Sequence, residues 1–243
     1  MRKKTYAFDN CRAFTTRSKG GRESGFEGWL SIIAKGRREY LPAIDPERCA
    51  LLIVDLQKGC VRGWPEAGHR DVQAQFHEQR SDYMDTVVMP NVTRLLDLFR
   101  KNDMLVVYTT LGPDDVVPAI APDHDRNEFV VAKYSSGAFA TSPLDSVLRE
   151  HGIATVFFVG TATDGCVDAT MSVAYDLGYQ TILVDDACCG HSPELHEAAV
   201  KIWTMKRFVR NTGQVIEDYP WQAWVEPHVS DEYELTRIGP SYW

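Results

Sequence analysis

The sequence predicts an α/β fold of three layers, α/β/α, around a central and mainly parallel sheet. Two observations carry this expectation. Four strand-length runs, CALLIVDL (49–56), MLVVYTT (104–110), TVFFVG (155–160) and TILVDDA (181–187), are apolar almost throughout. Strands without polar alternation are those covered on both faces, as in parallel sheets flanked by helices. Segments of helical period separate these runs, and such alternation packs helices on a parallel sheet through right-handed crossovers.

The elements follow in order. CALLIVDL is a central strand closed by Asp55. Residues 57–86 are polar, hold Gly59, Gly63, Pro65 and Gly68, and read as a long loop of the kind that carries function. Pro90 opens a helix in which Val92, Leu95, Leu96 and Phe99 recur on one face. MLVVYTT is the second strand, followed by an irregular connection through three prolines. FVVAK (129–133) is a short strand ending at Lys133, and Pro143 starts a helix that stops near Gly152. TVFFVG runs through TATDGC into the helix CVDATMSVAYDLGY. TILVDDA is the next strand, Pro193 opens a further helix, and GQVIE (213–217) is read as a final short strand. The expected organisation is an N-terminal arm (1–45), one α/β domain (46–218) and an aromatic C-terminal tail (219–243).

At 243 residues with average composition, the chain is large enough for a full core. Its net charge of −8 is unevenly spread: residues 1–40 hold ten Lys/Arg against four Asp/Glu, leaving a strongly acidic remainder. An acidic body repels a phosphate backbone, so no nucleic-acid partner is expected. No apolar run reaches the roughly 18 residues of a membrane span, and the basic start lacks the apolar core of a secretory signal. A cytoplasmic location without membrane contact is therefore expected. The six cysteines form no CxxC pair and read as reduced thiols. Trp221, Trp224, Tyr233, Tyr242 and Trp243 are too apolar for a solvated tail, which predicts a homo-oligomer, a dimer or tetramer.

Sites in open parallel sheets lie at the carboxyl ends of the strands. Asp55 ends the first strand, Lys133 the short third, and Cys166 follows the fourth after a tight turn. A thiol in the first turn of a helix meets free N–H groups and the positive dipole end, which predicts a pKa lowered from about 8.5 toward neutrality. The same N–H groups suit an oxyanion on an attacked carbonyl. A carboxylate, an ammonium and a thiol at one sheet edge make a nucleophilic triad. Gln57, Trp64, Tyr134 and Phe139 are candidate pocket residues. Lys206 and Arg207, with Arg210, are candidates for meeting a substrate carboxylate. His196 reads as a structural hydrogen-bonding residue, and Cys188 and Cys189 as packing residues.

ALLIVDLQ, KYSSGAFATSPLDSVLREHGI and VGTATDGCVDATMSVAYDLGYQTILVDDACCG resemble, in order and spacing, three motifs of the isochorismatase-like cysteine hydrolases. That family includes N-carbamoylsarcosine, biuret and ureidoacrylate amidohydrolases and the nicotinamidases. The resemblance spans about residues 47–217 and implies a Rossmann-like fold with Asp55, Lys133 and Cys166 as its Asp-Lys-Cys triad. It also implies a cis peptide at Thr161–Ala162 and an oxyanion hole made by the N–H groups of Ala162 and Cys166. Nicotinamidases carry an Asp-x-His metal motif after the second strand; Asp123-His124-Asp125 departs from that form, so neither metal nor cofactor is expected. The biuret hydrolases have a glutamine where this chain has Lys206. Isochorismatases acting on a vinyl ether lack the cysteine, so Cys166 favours acyl transfer.

The resulting expectation is a cysteine-dependent amidohydrolase acting on a small linear amide, carbamoyl or ureido compound through a thioester. The alternatives are an isochorismatase-type vinyl ether hydrolase, insensitive to thiol blockers, and a non-catalytic scaffold that retains the fold.

Overall fold

In the computed structural model, residues 44–61, 81–112, 115–205 and 209–221 are described. The apolar runs of the sequence become a six-stranded parallel sheet: β1 (Cys49–Val54), β2 (Leu105–Leu111), β3 (Glu128–Lys133), β4 (Thr155–Thr161), β5 (Gln180–Cys189) and β6 (Val209–Arg210). Their order is β3-β2-β1-β4-β5-β6. The direction of winding therefore reverses between β1 and β4, and in open α/β sheets the crevice at such a switch point is where ligands bind. Every residue of β1 and of β4 is buried, as their unbroken apolar character requires.

Seven helices are found among the described residues: α1 (Lys58–Val61), α2 (Met89–Lys101), α3 (Ala138–Thr141), α4 (Leu144–Glu150), α5 (Asp168–Asp176), α6 (Pro193–Met205) and α7 (Thr212–Glu217). The α2 face carrying Val92, Leu95, Leu96 and Phe99 is fully buried in the core. None of these helices is long and apolar enough to cross a membrane.

Three readings of the sequence are corrected. The helix expected from Pro90 already runs from residue 81, through a π-helical turn at Met84–Val88. That wider turn lets the chain stay helical up to a residue that has no N–H to donate. The loop expected over 57–86 therefore holds α1 at one end and this helix at the other. GQVIE forms α7, not a strand, because Asn211 and Gln214 close a capping box: the Asn211 side chain accepts from the Gln214 amide at 2.8 Å, and the Gln214 side chain accepts from the Asn211 amide at 2.9 Å. The last strand is Val209–Arg210, just before it.

Trp221, grouped by sequence with the aromatic tail, is a core residue. It is fully buried, packs on Phe157 and Phe99 at centroid distances of 4.8 and 6.2 Å, and donates its indole N–H to the Val215 carbonyl. Its burial fixes the chain after α7 against the sheet. Trp224, Tyr233, Tyr242 and Trp243 lie outside the described residues.

Glu128, at the start of β3, braces the segment that leads into the strand bearing Lys133. Its buried carboxylate takes two bonds from Arg100 (2.7 and 3.0 Å), one from Tyr108 Oη (3.0 Å) and one from the Asp123 amide (2.9 Å). Burial alone raises its pKa, but the bonds from Arg100, the Asp123 amide and Tyr108 outweigh it and hold the carboxyl below its usual range.

Trp221→Ala is expected to lower stability by about 3–5 kcal/mol in urea unfolding, since it empties a large core position. Because Glu128 has a lowered folded pKa, its contribution is full above the ordinary carboxylate pKa of about 4.3 and disappears as pH falls through the lower folded value. Glu128→Gln is thus expected to be less stable than wild type at neutral pH. Unfolding midpoints measured down a pH series should show that gap narrowing below about pH 4.

Candidate active site

The site forms where β1 and β4 part at the switch point. Gly160 sets how closely they run. Its φ is +116°, and a Cβ added there would lie 2.1 Å from the Val54 carbonyl oxygen and 2.8 Å from the Val54 nitrogen. Only glycine lets β4 approach the residue before Asp55, and the same point carries the register shift between β4 and β5.

Asp55 follows Val54 in left-handed backbone, φ 53°, a region that Asp tolerates better than branched residues. Its amide still bonds the Thr109 carbonyl at 3.0 Å, while the positive φ turns the side chain out of the strand pleat. Thr109 Oγ1 donates to Asp55 Oδ1 at 3.0 Å, and Lys133 Nζ stands 2.8 Å from Oδ2. The side chains of Lys133 and Asp55 are 0% and 1% exposed. The carboxylate is thus held by Thr109 on one oxygen and by the ammonium on the other, and it also interacts with the Cys166 thiol. The ammonium also donates to the Ser135 carbonyl at 2.9 Å. Lys133 lies two strands from Asp55, a span of about 9–10 Å that only a long side chain crosses.

Cys166 completes the group. It sits in the π-helical turn Thr163–Val167, whose Gly165 has non-helical angles, and regular α-helix begins only at Asp168. The Thr161–Ala162 peptide before it is cis. The Ala162 carbonyl accepts from the Gly165 and Val167 amides at 2.9 and 3.0 Å, tying the turn to the end of β4. Thr170 Oγ1 donates to the Cys166 carbonyl at 2.6 Å and accepts from the Ala138 amide at 3.2 Å, linking this turn to the chain after Lys133. The half-buried thiol interacts with both Asp55 and Lys133.

The expected lowering of the thiol pKa is overturned. Burial, followed by the charge and hydrogen bond of the Asp55 carboxylate, pushes the Cys166 thiol up to about 11, and Lys133 offsets only part of this. The helix-terminus argument fails locally because Gly165 interrupts the helix where Cys166 sits. At rest the site therefore holds a thiol beside a carboxylate instead of a ready-made thiolate.

The candidate pocket residues divide. Gln57 is buried and acts as a strut: its amide donates to the Leu111 carbonyl at 3.3 Å and accepts from the Leu111 amide at 2.6 Å, holding β2's end against the chain after β1. Tyr134 is 74% exposed, so its ring does not pack into a pocket wall. Phe139 packs on Tyr179, which directly precedes the amino end of β5, away from the carboxyl ends of the strands. Trp64, Lys206 and Arg207 lie outside the described residues. Arg210 is buried on β6. His196 bonds Thr163 Oγ1 through Nδ1 at 2.8 Å, the structural role expected of it. Among the described residues, no three His, Cys, Asp or Glu side chains gather as a metal site.

Thr109, Ser135 and Thr170 escaped sequence reasoning. The double threonine closing MLVVYTT, beside the strand that carries Asp55, was the available signal for Thr109. Ser135 acts through its backbone carbonyl, which leaves no residue-type signal.

Comparison with known proteins places this geometry. The family model described as the isochorismatase domain matches residues 49–213. The chain is 30% identical over 182 residues to the uncharacterized isochorismatase family protein YwoC of Bacillus subtilis strain 168, covering 65% of this chain and 86% of that protein. It is 34% identical over 94 residues to the ureidoacrylate amidohydrolase RutB of Acinetobacter baylyi, covering 38% of each. In fold it is similar to an isochorismatase from Pseudomonas putida KT2440 (TM-score 0.59, 20% identity, 75% of this chain and 97% of that one). It is also similar to the N-carbamoylsarcosine amidase of Thermoplasma acidophilum (TM-score 0.51, 21% identity, 68% and 96%). With a family match over most of its length and this parallel sheet, the chain belongs to the isochorismatase family of hydrolases.

Proposed function

We propose that the protein is a cysteine-dependent amidohydrolase that cleaves the C–N bond of a small linear amide, carbamoyl or ureido compound through a thioester. The observation that carries this reading is the buried Lys133–Asp55 pair, 2.8 Å apart, in contact with the Cys166 thiol. Taking two charges out of water costs several kcal/mol each, and their attraction seldom does more than balance that. A scaffold gains nothing from such a pair, whereas a reaction that moves a proton off a thiol needs a base and a fixed positive charge beside it. The named relatives that cleave ureidoacrylate and N-carbamoylsarcosine support the amide class. Five free cysteines among the described residues fit a reducing compartment, the cytoplasm.

In this mechanism Asp55 Oδ2 takes the Cys166 proton as Sγ attacks the substrate carbonyl carbon, so the thiolate never accumulates. Lys133 keeps a positive charge beside the group as it redistributes. The Ala162 and Cys166 amides hold the oxyanion of the tetrahedral intermediate. As the C–N bond breaks, Asp55 returns the proton to the departing nitrogen, releasing ammonia or an amine and leaving the acyl thioester. A water then attacks the thioester, giving its proton to Asp55; the carboxylic or carbamic acid leaves and the thiol is restored.

Cys166→Ala is expected to reduce ammonia release from a panel of ureas, carbamoyl amino acids and linear amides by about 10⁴-fold or more, with the fold intact by circular dichroism. An active Cys166→Ala enzyme contradicts the scheme. With Asp55 as the base, kcat/KM should be flat from about pH 7 to 9; dependence on free thiolate from a group at about 11 would instead raise the rate tenfold per pH unit. Lys133→Met leaves a buried carboxylate uncompensated and is expected to cost about 3–5 kcal/mol of stability. The double variant Asp55→Asn/Lys133→Met should recover most of that in urea unfolding while remaining inactive.

A further inference from the structure

The turn that carries Cys166 is held from one side by a single segment, the end of β5 and α6. Thr163 Oγ1 meets His196 Nδ1 at 2.8 Å, and Asp168 Oδ1 accepts the Trp203 indole N–H at 2.8 Å. Between these two contacts lies a two-point grip. Asp164 Oδ1 accepts the His191 backbone amide at 2.8 Å, and Asp164 Oδ2 pairs with His191 Nδ1 at 2.8 Å. Both carboxylate oxygens are thus engaged by one residue across the turn. Burial alone raises the Asp164 pKa, but the bonds from the His191 ring and amide outweigh it and hold the carboxyl below its usual range, keeping it ionised.

Two glycines let this grip close. A Cβ at Gly190 would lie 2.9 Å from Asp164 Oδ1 and 2.8 Å from the His196 Cβ. A Cβ at Gly165, the residue before the nucleophile, would lie 3.0 Å from His191 Cε1. The imidazole therefore rests on the open side of Gly165, the one residue of the turn with non-helical angles (φ −130°, ψ −107°). A glycine in such a conformation, next to a residue whose side chain must meet Asp55, needs an outside support to hold one arrangement.

We infer that Asp164 and His191 form a positioning pair that fixes the Gly165–Cys166 peptide and so aligns the thiol with Asp55. This rests on the amidohydrolase reading, in which that alignment sets the rate. Neither residue touches the reacting atoms. The His191 side chain is 63% exposed and that of Asp164 15%, so solvent screens the ring's side of the pair and losing the ring contact costs little stability; its effect belongs in the rate. Small misplacements of reacting groups are costly: about 1 Å can remove 10²-fold in rate.

The test compares His191→Ala with His191→Asn, whose side-chain amide can donate to Asp164 where Nδ1 does. Two readouts are taken: steady-state hydrolysis, and the rate at which iodoacetamide alkylates Cys166 without substrate, followed by peptide mass spectrometry. His191→Ala should lower kcat by about 10- to 100-fold with KM within about threefold. Its Cys166 alkylation should slow, because the thiol is no longer aligned with Asp55, the base that takes its proton as sulfur attacks the reagent, and its melting temperature should stay near that of wild type. His191→Asn should restore both rates to within about threefold of wild type. Wild-type kcat and alkylation in His191→Ala overturn the proposal. So does a loss accompanied by a large fall in melting temperature that His191→Asn does not rescue, because that marks support of the fold alone. If the wild-type protein hydrolyses no amide in the panel while the alkylation rates still follow this pattern, the amidohydrolase reading fails and the positioning role stands.

Discussion

A lysine ammonium and an aspartate carboxylate 2.8 Å apart and out of water are the constraint on which the rest of the site depends. Neither charge is tolerable there alone. Their pairing requires β3 and β1 to keep register across β2, so that Lys133 reaches over one intervening strand to Asp55. Thr109 on that intervening strand steadies the other carboxylate oxygen. On the far side of β1, Gly160 lets β4 run close enough to bring the Cys166 turn to the same point. The sheet order places all of this at the reversal between β1 and β4, where the strands leave a crevice. Braces remote from the chemistry serve the same end: Glu128 fixes the approach to β3, Gln57 fixes the end of β2, and Thr170 joins the Cys166 turn to the chain after Lys133.

The electrostatics of this cluster change how its cysteine works. A thiol at a helix start is expected to ionise early, yet burial and then the charge and hydrogen bond of the Asp55 carboxylate hold the Cys166 proton on. The ammonium is shared with that carboxylate and offsets only part of the effect. In the proposed mechanism the thiol is therefore protonated at rest, and its deprotonation is coupled to attack, with the proton moving a single step to Asp55. Such a site spares its cysteine from the side reactions of a standing thiolate, because reactivity of a thiol follows its thiolate fraction.

The sheet was readable because burial on both faces leaves an unbroken apolar pattern, and Asp55 is the first polar residue beyond such a run. Lys133 closes the edge strand β3, whose Phe129 and Val130 are exposed, and Cys166 follows β4 only after a turn; for these two the legible signal is position at a strand's carboxyl end, not burial. The helix before Pro90 was hidden because a proline normally starts a helix, and a π turn leaves no periodic signal of its own. Residues 213–217 hold the β-branched pair Val215–Ile216, which suits a strand, yet the Asn211–Gln214 capping box outweighs that preference. Trp221 reads as tail because it follows a proline in a polar stretch, and only tertiary packing reveals Phe99 and Phe157 beneath it. The thiol pKa departs from expectation for a related reason: sequence shows that a helix follows Cys166 but not that Gly165 delays its start, nor that the thiol is buried against a carboxylate from another strand.

In the proposed mechanism the resting site holds a protonated Cys166 whose proton passes to Asp55 only during reaction. Ultraviolet absorption of the thiolate tests this most directly, taken as the difference between wild type and Cys166→Ala across a pH titration without substrate. No thiolate band from Cys166 is expected at neutral pH, with the band emerging only in strongly alkaline solution. A full thiolate band at neutral pH would contradict it, placing the negative charge on sulfur at rest and leaving Asp55 without the proton-accepting role.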